Sequence, residues 1–282
     1  MSNEVKEISN LMKRRIKDSL EIGKRFDSRE LLDYRDIEIE TGVSKNAEGS
    51  ARVKLGKTDV IAGVKLAAGE PYPDNEEEGT MITTMELLPL SSEEFNYGPP
   101  GIEAIEIARI VDRGIRESGF IDFDKLCIKK GEKVWNVFID IYSLNDDGNL
   151  LDASCLASVA ALLTATMPKY DEKQEKVVYD EKTNKKLPLT KIIPLTFTFH
   201  KIGKKIILDP STEEEKSSEA KVSLALSYNS KKEILINAVQ KGNEVAFSEQ
   251  EAEAIIDLAD KKFKELYPKI MDKIEKSLKD KK

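Results

Sequence analysis

The chain has 282 residues, of which 40% are hydrophobic and 34% charged, and its formal net charge is −7. That composition supports a proper core in one large domain or two tightly joined ones, and excludes both a disordered chain and a protein drawn to nucleic acid by bulk charge. No apolar run approaches the roughly 20 residues that span a bilayer, Met1 to Leu20 is too charged for a signal peptide, and Cys127 and Cys155 sit in apolar contexts, so a cytoplasmic protein with two reduced thiols is expected.

Residues 4–22 set Val5, Ile8, Met12 and Ile16 at helical spacing before Gly23, which predicts an N-terminal amphipathic helix within a segment 1–22. RVKLGKTDVIAGVKL alternates apolar and polar positions around Gly56-Lys57-Thr58 and predicts a hairpin, which MITTMELLPL extends as a sheet. PPGIEAIEIARIVDRGIRESG begins after two prolines and stops at Gly119, as a helix from Ile102 to Ser118 should. A strand over KVWNVFIDIYSL then leads to DDGNLLDASCLASVAALL, a glycine turn feeding a buried helix.

The charged stretch 169–188 reads as a surface hairpin or loop and marks the boundary between a first subdomain, 23–168, and a second, 189–282. In the second, strands are expected in IPLTFTFHKIG, KKIILDP, AKVSLALSY and EILINAVQKG. A long C-terminal helix follows, opened by a Ser248–Glu251 capping box. Strands followed by helices, twice, give an α+β fold of two similar strand-rich units with packed helices.

The turn at Asp146–Gly148 poses a question. A glycine turn before a helix N-terminus is a ready anion site, because the first amides lack intrahelical partners and the dipole is positive there. Yet no cation stands near it, and Asp152 is placed to cap the helix and fill the anion's position.

Three other features carry candidate chemistry. His200, the single histidine, alternates with Thr196 and Thr198 and reads as a surface or half-buried strand residue, since no nucleophile or carboxylate is placed beside it. Glu76–Glu78 and Glu213–Glu215 read as solvated loops in preference to magnesium sites, so neither metal nor cofactor is expected. On the 102–118 helix, Ala104, Ile107, Ala108, Val111 and Ile115 share one side, while Arg109, Arg113 and Arg116 fall within an arc of about 60° on the other. By spacing alone, ordinary ion pairing of Asp112 with Arg116 and of Glu106 with Arg109 is favoured over a binding stripe.

Taken together, KRFDSRELLDYRDI, GSARVKLGKTDVIAGVKL, NYGPPGIEAIEIARIVDR, DDGNLLDASCLASVAALL and LDPSTEEEKSSEAKVSLAL resemble the ribonuclease PH family, over roughly residues 20–275. The resemblance is greatest to the non-catalytic RNase PH-like type of subunit in the archaeal exosome ring. It implies an RNase PH-like fold and a family chemistry in which phosphate cleaves RNA from its 3′ end.

In active relatives a Gly-Ser/Thr-Arg turn holds phosphate and a Glu-Ala-Asp stretch supplies a catalytic aspartate. Here the matching residues are Gly148-Asn149-Leu150 and Glu219-Ala220-Lys221, and the family's usual Asp-Gly-Arg reads Asp27-Ser28-Arg29. An ammonium can neither accept a proton nor bind a divalent cation, so no catalytic residue is expected.

The resemblance also implies a hexameric ring with a catalytic RNase PH-like partner and RNA-binding cap proteins, and single-stranded RNA in the channel. Arginines of the 102–118 helix would contact that RNA, which turns the stripe Arg109, Arg113 and Arg116 into the expected RNA-binding set. The alternatives are an active phosphate-dependent 3′–5′ exoribonuclease and a pure scaffold without RNA contact.

Overall fold

The computed structural model describes residues 8–279; Val5, assigned above to the first helix, lies outside them. Helix α1 (Asn10–Glu21) is capped by Ser9, whose hydroxyl accepts from the Met12 amide, and it buries Ile16 and Leu20. These meet Ile202 and Ile207 in a small apolar cluster apart from the main core.

The first sheet contains β1 (Ile37–Thr41), β2 (Gly49–Leu55), β3 (Thr58–Gly69), β4 (Thr80–Leu87), β5 (Cys127–Lys129) and β6 (Lys133–Asn145). Its order is β1-β2-β3-β6-β4, with β5 also on β6. The β2–β3 hairpin turns at Gly56, whose φ of 59° suits glycine. β4 extends the sheet at its edge, paired with β6 in parallel, Thr80 opposite Asn136. A parallel ladder needs a crossover connection, and α2 (Ile102–Ser118) supplies it, ending at Gly119 in the left-handed conformation.

Helix α3 (Leu150–Thr164) is buried along its whole length from Leu150 to Leu162. Its lack of an exposed polar face follows from its position: it packs on β2 and β3 of the first sheet and on β9 (Leu195–Ile202) of the second. A helix apolar all round is stable only inside a core. The stretch 166–186 forms a two-stranded hairpin of β7 (Thr166–Asp171) and β8 (Lys176–Lys186).

The second sheet is antiparallel, in the order β10-β9-β11-β12. Its strands are β9 (Leu195–Ile202), β10 (Lys205–Leu208), β11 (Ala220–Tyr228) and β12 (Ile234–Gly242), with the short helix α4 (Thr212–Lys216) between β10 and β11. Helix α5 (Glu249–Lys279) opens with a reciprocal cap, Ser248 N to Glu251 Oε2 at 2.8 Å and Glu251 N to Ser248 Oγ at 3.2 Å. It buries Ile255, Ala259, Phe263, Leu266, Ile270 and Ile274 at three- and four-residue steps. Phe263 stands edge-on to Phe197 and Tyr228, which ties the helix to the second sheet. At its far end Lys273 Nζ donates to the Ile37 carbonyl at 2.6 Å, so the same helix clamps β1 of the first sheet.

Candidate nucleic-acid interface and the turn before α3

The turn before α3 is held by charges from distant parts of the chain. Arg35 donates to Asp209 Oδ1 at 2.7 Å and Oδ2 at 2.9 Å, and also to the carbonyls of Asp147 at 2.7 Å and Gly148 at 3.0 Å. Arg29 reaches Asp209 Oδ2 at 2.7 Å, and Asn149 Nδ2 reaches Oδ1 at 2.9 Å. Burial would raise the Asp209 carboxyl, but the bonds and charge of Arg35 and the bond from Asn149 hold it below its ordinary value. The one carboxylate left in the LDP stretch is therefore fully engaged in structure.

Nearby, Arg25 is buried and grips Glu214 through Nε at 3.0 Å, while its other nitrogens donate to the carbonyls of Leu208 at 2.9 Å and Asp209 at 2.7 Å. These bonds fasten α4 beside the turn. Gly148, at φ 85°, lies so close to α4 that a Cβ there would sit 2.6 Å from the Pro210 carbonyl oxygen, so only glycine fits. Ser28 occupies the left-handed region at φ 67°, where the Asp-Gly-Arg of relatives would place an unstrained glycine.

Asp152 does not cap α3. No side chain caps that helix at Asn149. The Asp152 carboxylate instead accepts from Tyr34 Oη at 2.6 Å, from Thr198 Oγ1 at 2.7 Å and from Asn149 Nδ2 at 3.2 Å. Complete burial pushes its carboxyl up to about 6 in spite of those bonds. A third-position side chain on a helix wholly enclosed by the core turns into the polar seam offered by β9, not back to its own amides.

The carboxylate that does meet the α3 N-terminus belongs to Glu215 on α4, whose Oε2 accepts from the Asn149 amide at 3.0 Å. Glu103 lies in the first turn of α2. Desolvation, then the charges of Glu215 and Asp146, push it up to about 7 against the opposing charge of Lys221. Glu94 forms an ion pair with Lys216 of α4.

Lys221 pairs with Glu106 at 3.3 Å, and its stem lies over Gly242. His200 is fully buried, deeper than the half-exposed strand position expected; burial and then the charge of Lys221 push it down to about 3, so it is a neutral core residue. Among the described residues no group of three or more His, Cys, Asp or Glu side chains could hold a metal ion, and no helix is long and apolar enough to cross a membrane.

The three arginines of α2 are all exposed but are not equivalent. Arg116 donates to Asp112 at 2.9 and 3.0 Å and to the Met81 carbonyl at 2.8 Å, with its guanidinium 5.7 Å from the Phe123 ring centroid. Arg109 has no such tie, because Glu106 pairs across to Lys221 instead of along its own helix. Among the described residues neither the Arg109 nor the Arg113 side chain has a hydrogen bond or ion pair. Both line a groove of about 280 Å³ between α2 and β11–β12, with Ile105, Ile110 and Val239.

Sequence reasoning found the stripe but missed the clamp of Arg25, Arg29 and Arg35. Its signal was present in KRFDSRELLDYR, but three arginines spaced irregularly in a loop have no periodicity to give them a common face.

Residues 33–168 match the family described as "3′ exoribonuclease family, domain 1", and residues 193–262 match its domain 2. The chain is 47% identical over 256 residues to the exosome complex component Rrp42 of Methanosarcina acetivorans, covering 90% of this chain and 91% of that one. It is 42% identical to the Rrp42 component of Thermococcus onnurineus, covering 96% and 98%. A chain of the Archaeoglobus fulgidus exosome, solved with RNA bound to the active site, superposes with a TM-score of 0.81 at 38% identity, covering 92% of this chain and 98% of that one. Rice Rrp46, at a TM-score of 0.63 and 17% identity over 90% of this chain and 100% of that one, shares the fold. With both family domains in order on an RNase PH-like α+β framework, the chain belongs to the ribonuclease PH family of 3′ exoribonucleases.

Proposed function

We propose that this chain is a non-catalytic subunit of an archaeal-type exosome ring, located in the cytoplasm, that pairs with a catalytic RNase PH-like subunit and positions RNA for 3′-to-5′ degradation. The observation that carries the reading is Lys221: where active relatives place an acid, an ammonium stands in a salt bridge with Glu106. Leu150 adds to it, being buried where relatives present arginine to phosphate. Arg109 and Arg113 supply the RNA contact, since guanidinium groups hold phosphates bidentately and stack on bases without reading sequence. Arg116 belongs to the same stripe as a secondary contact, its charge already shared with Asp112. The cap proteins would bind elsewhere on the ring.

The test is phosphorolysis. The purified chain should release no nucleoside diphosphate from single-stranded RNA at any phosphate concentration, while the co-purified assembly with a catalytic partner should. Phosphate-dependent release by the isolated chain would overturn the reading in favour of an active exoribonuclease.

A further inference from the structure

The groove between α2 and β11–β12 has two sides of different chemistry. On its helix side Arg109 and Arg113 stand exposed beside Ile105 and Ile110; on its sheet side lie two cross-strand pairs, Ala225 opposite Ala238 and Ser223 opposite Gln240. The small alanines and the isoleucines leave room for a flat apolar ring, and the guanidiniums suit the phosphates on either side of it. The two polar groups of the sheet side both act as acceptors. Gln240 turns its Nε2 to the Lys241 carbonyl at 3.3 Å, which leaves Oε1 as its open atom.

Ser223 is made an acceptor by a buried chain of hydrogen bonds. Asp152 Oδ2 accepts from Tyr34 Oη at 2.6 Å and from Asn149 Nδ2 and the Thr198 amide at 3.2 Å each, while Oδ1 accepts from Thr198 Oγ1 at 2.7 Å. Thr198 has a single hydroxyl proton. With that proton given to Asp152, Thr198 Oγ1 has only lone pairs to offer Ser223 Oγ, 2.9 Å away. Ser223 therefore donates inward and presents lone pairs to the groove. Asp152, its carboxyl at about 6, is ionised at about pH 8, which keeps the chain in this sense.

We propose that the groove takes one base of single-stranded RNA and prefers a base with an exocyclic amino group, with Ser223 as the specificity-determining residue and Asp152 as the positioning residue that holds its hydroxyl as an acceptor. The proposal rests on the RNA-positioning reading above and deepens it. The guanidiniums hold phosphates whatever the sequence, while the sheet side of the groove reads the base. A cytosine amino group donates its two hydrogens to Ser223 Oγ and Gln240 Oε1; the uracil carbonyl at the same ring position meets two acceptors and leaves all three groups unpaired. Glu106, the acid on the helix side, is paired with Lys221 and so is not open to the base.

The experiment is fluorescence anisotropy at the same pH, without phosphate, using labelled oligo(C) and oligo(U) of equal length on the assembly of the full chain with a catalytic partner. The quantity read is the ratio of the two dissociation constants, compared between variants so that the partner's own preference drops out. Ser223→Ala should shift that ratio toward oligo(U) by about threefold to tenfold, as loss of one hydrogen bond does. Asp152→Asn puts an amide N–H where Oδ1 accepted, which reverses the chain and turns the Ser223 proton to the groove, so it should shift the ratio at least as far. A merely structural role for Asp152 would weaken both oligonucleotides alike. An unchanged ratio in Ser223→Ala, or in folded Asp152→Asn, overturns the proposal. Should Asp152→Asn fail to fold, Ser223→Ala, which leaves the bond between Thr198 and Asp152 in place, decides alone. Wild-type binding of both oligonucleotides by the variant carrying Arg109→Glu and Arg113→Glu overturns the RNA-positioning reading instead.

Discussion

Arg35 and Asp209 face each other across the turn before α3, joined by side-chain hydrogen bonds of 2.7 and 2.9 Å and by a third from the Arg35 backbone amide at 2.8 Å. Because the same guanidinium also holds the carbonyls of Asp147 and Gly148, a single residue couples the N-terminal arm, the turn and the end of β10. Arg35→Met should cost about 3–5 kcal/mol, since it leaves a buried carboxylate short of its main partner. Urea unfolding monitored by fluorescence measures this, and a loss under about 1 kcal/mol would show that Arg29 and Asn149 suffice.

Two buried acids should pull stability in opposite directions with pH. Asp209 is held below its ordinary value, so its contribution is full above the unfolded value of 3.8 and is lost as pH falls through the lower folded value. Asp152 is raised from 3.8 to about 6, so the folded state binds the proton first and this group's penalty is relieved as pH falls from about 7 toward 4. Between pH 7 and pH 5, wild type should therefore gain stability relative to Asp152→Asn, by at most about 1.4 kcal/mol per pH unit. Parallel denaturation curves for the two proteins across that range would refute the assignment.

Ser28 carries backbone strain that glycine would not. Ser28→Gly should raise stability by roughly 1 kcal/mol, the cost of a left-handed conformation for a residue with a Cβ, less the entropy glycine gains on unfolding. The check is the urea midpoint at unchanged m-value; a lowered midpoint would mean that the turn 27–29 gains from serine something beyond its backbone.

Replacing Arg109 and Arg113 with Glu should weaken RNA binding and slow degradation by the assembled complex. Loss of two contacts to a single strand should reduce the slope of log affinity against log salt by about 1.4. The fold should be unaffected within about 0.5 kcal/mol, because both side chains are exposed and unbonded. Arg116→Ala should change RNA binding less, as its guanidinium is already committed to Asp112 and Met81. Wild-type binding across the whole salt series would favour a pure scaffold.

Restoring Leu150→Arg and Lys221→Asp together should yield no appreciable phosphorolysis. The new arginine would start from a buried position, and Glu215 already occupies the amide it would serve. Catalytic groups need placement within about 0.5 Å, which two substitutions do not provide. Robust turnover by that double variant would overturn this expectation.

What the sequence determined by itself was everything written in periodicity and local turn chemistry. The α2 stripe follows from the 3.6-residue repeat, the β2–β3 hairpin from alternation about Gly56, and the buried character of α3 from its run of small and apolar residues. Tertiary structure decided which charges meet. Asp152 looked like the cap of α3 because helix position is local information; that it turns to Tyr34 and Thr198, and that Glu215 comes to the Asn149 amide instead, depends on side chains 46 to 118 residues apart in the chain. Likewise Glu106, in reach of Arg109 along its own helix, is taken by Lys221 from another sheet. A hydrogen bond's partner is set by where the backbone delivers both groups, and only the packing of two sheets around α3 specifies that.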